Sequence, residues 1–199
     1  MRWIAAIWLL LAAGPAAATQ DAWPALFDVA GVASDDVLNI RAAPRADAPI
    51  LGTLAPDATG VEVVAPNGRE TWGQVNVDEG TGWVSLRFLA RQPGQWQGAF
   101  PPLASCFGTE PFWTVRVDGD TARWSTPEGE IEGLVTARAG SLSRRDRHGL
   151  RVVLADGSRI DGIISWRACN DGMSDRGYGL GFDALRGENV LSGCCALSK

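Results

Sequence analysis

A single histidine, His148, stands in a chain of 199 residues. Hydrolases built on a cysteine–histidine pair or on several zinc ligands need more than that. No H-E-x-x-H and no G-x-S-x-G occurs. The D-x-D-x-D-G spacing of a calcium loop is absent, and so is C-x-x-C. Paired carboxylates could still serve a carbohydrate-active enzyme, but composition does not fix their separation. Helical periodicity is almost missing. A basic excess is lacking too: 18 Lys and Arg face 23 Asp and Glu, a formal net charge of −5. Nucleic acid is not expected as a partner, because phosphate binding needs a basic face. No catalytic residue, no metal site and no cofactor is expected, and the chain reads as non-enzymatic.

What is present begins with export. Arg2 supplies a positive head, Trp3 to Ala13 an apolar core, and Ala16-Ala17-Ala18 a small-residue cleavage site. This is the pattern of a secretory signal peptide over residues 1–18, with cleavage expected between Ala18 and Thr19. The apolar run is too short to span a bilayer. No cysteine follows the cleavage site, which argues against a lipoprotein. No later stretch is long and apolar enough to cross a membrane, so no stable membrane insertion is expected after cleavage. The expected location is periplasmic or secreted, in a bacterial envelope.

Four cysteines, Cys106, Cys169, Cys194 and Cys195, lie beyond that segment. An even count in an exported chain suggests disulfides. Successive strand side chains point to opposite faces, so Cys194 and Cys195 reach different partners more naturally than each other. Cys169–Cys194 with Cys106–Cys195 is the favoured pairing, and the swapped pairing is second. Metal binding by the four thiols is the weaker rival.

Short apolar runs alternate with the turn dipeptides Asn67-Gly68, Asp118-Gly119, Asp156-Gly157 and Asp171-Gly172. Twenty-four glycines and eleven prolines punctuate them. Many short strands between frequent turns predict an all-β fold of barrels or sandwiches. Proline and glycine cluster at residues 92–103, read as a linker between a domain at 26–91 and a second at 104–199.

In the first domain, Leu38-Asn39-Ile40-Arg41 with Pro44 comes first. Ile50-Leu51-Gly52, Trp72-Gly73-Gln74-Val75, Gly82-Trp83-Val84 and Phe88-Leu89 follow in order. This succession resembles the bacterial SH3 (SH3b) domain, with Ala43 departing from the family's usual glycine before the proline. About sixty residues in five or six short strands suit a small closed barrel. The resemblance implies a non-catalytic module of envelope proteins, several relatives of which bind cell-wall peptides. An aromatic-lined groove can take a peptide, and Asn39, Arg41, Arg45 and Trp72 are the candidate ligand contacts. Trp83 and Ile40 read as core, and Asn39 and Arg41 could instead hold the loop.

In the second domain, Phe112 to Val117 turns at Asp118-Gly119-Asp120 and returns through Trp124 as a hairpin. Seven or eight antiparallel strands are expected, in a meander or small barrel. The segments Cys106-Phe107-Gly108-Thr109-Glu110-Pro111-Phe112-Trp113 and Cys169-Asn170-Asp171-Gly172-Met173-Ser174-Asp175-Arg176 resemble uncharacterised envelope proteins of the META/HslJ-like or lysozyme-inhibitor-like kind. Glu110, Asp171, Ser174, Asp175 and Arg176 form a second candidate site if they converge. Turn chemistry explains the same residues otherwise: Asp171-Gly172 as a tight turn, Ser174 or Asp175 capping amides, and Arg176 paired with Glu110. The basic run from Arg144 to Arg151 reads as a solvated hairpin end that could meet anionic envelope polymers.

The sequence therefore supports an envelope binding protein recognising a peptidoglycan peptide or an envelope protein. The alternative is an inhibitor of an envelope-attacking enzyme such as lysozyme.

Overall fold

The computed structural model describes residues 20–198, so the signal-peptide reading of residues 1–18 and its cleavage point lie outside the described residues. No helix among them is long and apolar enough to cross a membrane.

The chain is all-β. In the amino-terminal unit the strands are β1 (Ala25–Val29), β2 (Leu38–Arg41), β3 (Ile50–Leu54), β4 (Val61–Val63), β5 (Ala65–Pro66), β6 (Trp72–Val77), β7 (Gly80–Ser85) and β8 (Leu89–Arg91). They form two sheets, in the orders β4-β1-β8 and β3-β2-β7-β6-β5, rather than the single closed barrel expected from the sequence. The strands are too short and too interrupted for one continuous ladder, and a 3-10 turn at Leu86–Phe88 carries the chain from one sheet to the other. The two sheets enclose one core of Phe27, Leu38, Ile40, Val63, Val75 and Val84. Ile40 is core as expected. Trp83 is not: it is only half-buried, and it pairs in register with Arg41 and Gln74.

The second unit is a closed eight-stranded antiparallel barrel. Its strands are β9 (Ser105–Thr109), β10 (Phe112–Asp118), β11 (Thr121–Thr126), β12 (Gly129–Gly140), β13 (Arg147–Leu154), β14 (Arg159–Cys169), β15 (Tyr178–Arg186) and β16 (Asn189–Ala196). Period-two alternation drives it: Trp113, Val115 and Val117 on β10 and Ala122 and Trp124 on β11 point inward. An interior of this strand number is just wide enough for side chains to fill. Trp113 and Trp124 stack at 5.8 Å, and Phe182 packs beside Trp113. Gly162 has no side chain because the Phe182 ring occupies that space. Between β10 and β11, Gly119 takes φ 56°, the left-handed turn conformation that glycine adopts without strain.

β16 returns to pair with β9 and closes the ring. The disulfides join Cys106 to Cys195 and Cys169 to Cys194. Cys106 and Cys195 are direct register partners across the seam. The neighbouring Cys194, on the opposite face of β16, reaches the end of β14. Chain-entropy reasoning assigns about 4–5 kcal/mol to the link spanning 89 residues and about 3–4 to the one spanning 25.

The two units are docked. Residues 92–103 connect them, but they are not a loose tether. Gln95 Oε1 accepts the Leu26 amide at 2.6 Å, and its amide nitrogen donates to Leu26 O at 2.9 Å. Asp21 bridges to Trp96, while Leu103 and Ala104 are buried. Side chains cross directly as well. Glu62 on β4 is buried, and its Oε2 accepts the Leu197 amide at 2.9 Å and the Ser198 amide and hydroxyl at 3.1 Å. Asn76 on β6 pairs with both backbone groups of Gly177, each at 3.0 Å.

Candidate functional site

Three regions gather side chains able to bind something. The first is a groove of about 490 Å³ on the amino-terminal unit. Leu38 and Ile40 face inward, so Asn39 and Arg41 share the outward face of β2. Trp72 opens β6, and Asn67 Oδ1 fixes it by accepting its amide at 3.1 Å and that of Thr71 at 2.9 Å. The groove is lined by Asn39, Arg41 and Trp72, together with Val37 and Phe88. Arg41 also serves the loop, donating from Nη1 to Ala48 O at 2.8 Å. Arg45 is not part of the groove lining. It is exposed and pairs with Asp47 at 2.8 Å. One apolar wall, one indole, an amide and a guanidinium make a surface suited to an extended polar chain.

The second region is the loop from Asn170 to Gly177. Asp171 Oδ1 accepts the amides of Met173 and Ser174, and its Oδ2 accepts the Ser174 hydroxyl at 2.8 Å. Burial pushes the Asp171 carboxyl up, but these bonds outweigh it and hold the group below its usual value. Thr109 donates to Asp171 O at 2.8 Å, which brings the two cysteine-led motifs together. Asp171 and Arg176 also meet at the Tyr178 side chain, while the loop's remaining bonds turn to the other unit. The Asp175 amide donates to Glu79 O at 2.8 Å, and Arg176 Nε donates to Asp78 O at 2.6 Å. Arg176 is therefore committed to the β6–β7 turn, not to Glu110 as turn chemistry suggested. Glu110 stands exposed in the β9–β10 turn, with no ion pair among the described residues. The physical reason is reach: the guanidinium meets the Asp78 carbonyl of the other unit's turn, Asp78 being held left-handed at φ 48°, while the Asp175 amide takes the next carbonyl. The loop is a clasp between units. Tyr178, which follows it, is buried, and burial with the Asp171 charge nearby raises its phenol above the usual value.

The third region is a cleft of about 1000 Å³ between the units, at the upper end of the usual range for ligand sites. Trp23 and Gln74 line it from one side, and Arg145, Trp166 and Tyr178 from the other. Trp23 is held by Phe27, stacked at 5.5 Å, and by Arg91, whose guanidinium lies 4.3 Å over the indole. Trp166 leans on His148 at 4.8 Å. His148 itself is 2% exposed, with Nε2 3.1 Å from Gly98 O. The sequence alone places it in a solvated basic hairpin end. β13 instead starts at Arg147 and turns His148 inward, against Phe100 and Trp166.

Among the described residues no cluster of three or more His, Cys, Asp or Glu could hold a metal ion. Sequence reasoning missed Glu62, Asn76, Trp23 and Trp166. Alternation marks Glu62 and Asn76 only as strand residues, and nothing local reveals partners over 100 residues away. The two tryptophans carried a signal, since large aromatics at a unit boundary are frequent binding-surface residues.

Residues 36–90 match the bacterial SH3 domain family. The matched segment holds Asn39, Arg41 and Trp72 and ends before the barrel begins. No curated protein and no solved structure matches the chain.

Proposed function

We propose that this protein is a non-catalytic binding protein of the bacterial envelope, and that its SH3 groove takes an extended peptide from the cell wall or from a partner protein. A bacterial SH3 domain points to cell-wall or protein binding. Together with two disulfides it is consistent with a place outside the cytoplasm. The observation that carries the finer reading is the groove itself, where Asn39, Arg41 and Trp72 face one depression inside the matched segment. The barrel holds the module at a fixed orientation through Glu62 and the Asn170–Gly177 clasp.

The test is co-sedimentation of the full chain with purified sacculi at low salt. The wild type is expected in the pellet. Trp72→Ala removes the groove's indole and should weaken retention roughly tenfold, in line with loss of an aromatic anchor. Wild-type protein left wholly in the supernatant would reject the wall as the ligand.

A further inference from the structure

The cleft between the units has an uneven supply of free polar groups. Of its carboxylates, Asp21 lies 3.5 Å from Arg91 and Asp146 is held by Arg144 and Arg147 at 2.7 Å each, while Glu70 has no ion pair among the described residues. The Arg144 contact keeps Asp146 down at about 2. Arg167 runs across Gly181 and pairs with Asp183 at 3.2 Å. Arg145 is the one cation lining the cleft that has no ion pair among the described residues. Its stem passes Gly98 and its guanidinium remains exposed. Gln74 and Gln97 also line the cleft, and neither side chain has a hydrogen bond among the described residues. Trp166 is half-buried there and braced by His148.

We propose that this cleft binds an amino-sugar oligosaccharide bearing a carboxylate. The negative face of an indole attracts the polarised C–H bonds along one face of a pyranose, which assigns the sugar ring to Trp166. An acetamido group has one donor and one acceptor, matching the unengaged amides of Gln74 and Gln97. A guanidinium matches a carboxylate with two parallel hydrogen bonds, which assigns the acidic substituent to Arg145. An extended peptide fits less well, because peptides pair with an open strand edge. The edge beside the cleft is β5, where Pro66 has no N–H to offer. The cleft is preformed, since the contacts of Glu62, Asn76 and Arg176 fix both walls. This proposal goes beyond the groove reading and stands without it.

Calorimetric titration of the full chain tests it with three probes. These are the disaccharide of N-acetylglucosamine and N-acetylmuramic acid, N,N′-diacetylchitobiose, and a short acidic peptide. The acidic disaccharide is expected to bind saturably and roughly tenfold more tightly than diacetylchitobiose, the effect of one charge-assisted pair. Arg145→Gln, a change at an exposed position, should bring the two sugars level by weakening only the acidic one. Asn39→Ala should leave the disaccharide isotherm in place while reducing retention on sacculi, which separates the cleft from the groove. The proposal is overturned by absence of saturable binding of the acidic disaccharide. An unchanged isotherm in Arg145→Gln overturns it as well, as does tighter binding of the acidic peptide.

Discussion

Glu62 is the residue whose chemistry is most tightly bound to its surroundings. Burial raises its carboxyl above the ordinary value, and the bonds from Ser198 and Leu197 lower it only in part. Its Oε1 is buried without a partner. The folded chain therefore holds the Glu62 proton more tightly than the unfolded chain. Its stabilising contribution is complete below the ordinary carboxylate value and declines as pH rises through the raised one. In urea unfolding at a series of pH values, the stability of wild type relative to Glu62→Gln should fall from acid toward neutral pH. A flat difference would show that Glu62 does not titrate between the two states. Glu62→Ala leaves two amides and a hydroxyl unpaired, at a cost of about 1–3 kcal/mol. None of this was legible in Val61-Glu62-Val63, where a strand acid normally faces water. That Cys194 and Cys195 take different partners was legible from strand alternation; which of them meets Cys106 is decided by the β16–β9 register across the seam.

Among elements, the Asn170–Gly177 loop shows how a motif can be recognised and its role misjudged. Its internal bonds follow turn chemistry, with Asp171 and Ser174 satisfying amides two and three residues away. Its outward bonds depend on the β6–β7 turn about a hundred positions earlier, which no local pattern discloses. Asn76→Ala strands both backbone groups of Gly177. The expected result is faster hydrogen exchange at the Gly177 amide and a stability loss of about 1–3 kcal/mol. Unaltered exchange there would mean that the clasp does not depend on Asn76. Gly179 adds a steric element to the same junction: a β-carbon there would lie 2.5 Å from Pro24 Cδ, so the barrel strand leaves no room for a side chain against the residue that precedes β1. The strands and hairpins themselves were legible from periodicity and turn dipeptides. The second unit's ring was one of the two outcomes expected for its strands, whereas the division of the first unit into two sheets was not legible, since edge pairing is decided at long range.

At the scale of the molecule, the two disulfides differ in what they restrain. Replacing Cys106 and Cys195 by alanine opens the barrel seam and releases the longer loop. Replacing Cys169 and Cys194 frees only the end of β14. Urea titrations should show the first pair costing more, by about 1 kcal/mol on loop entropy alone. An equal loss would place the barrel's stability in its packing rather than in the seam link. The seam also sets an order of events. A ribosome releases β9 long before β16, so the first barrel strand waits with one edge bare while some eighty residues are still to come. Leu197 and Ser198 emerge last of all the described residues, and Glu62 in the opposite unit waits for them too. Neither half reaches its final form before β16 and residues 197–198 have been made. Closing the seam and seating Glu62 both wait on the same last stretch, and a chaperone shielding the unfinished edge would have to hold on until β16 and Ser198 are available.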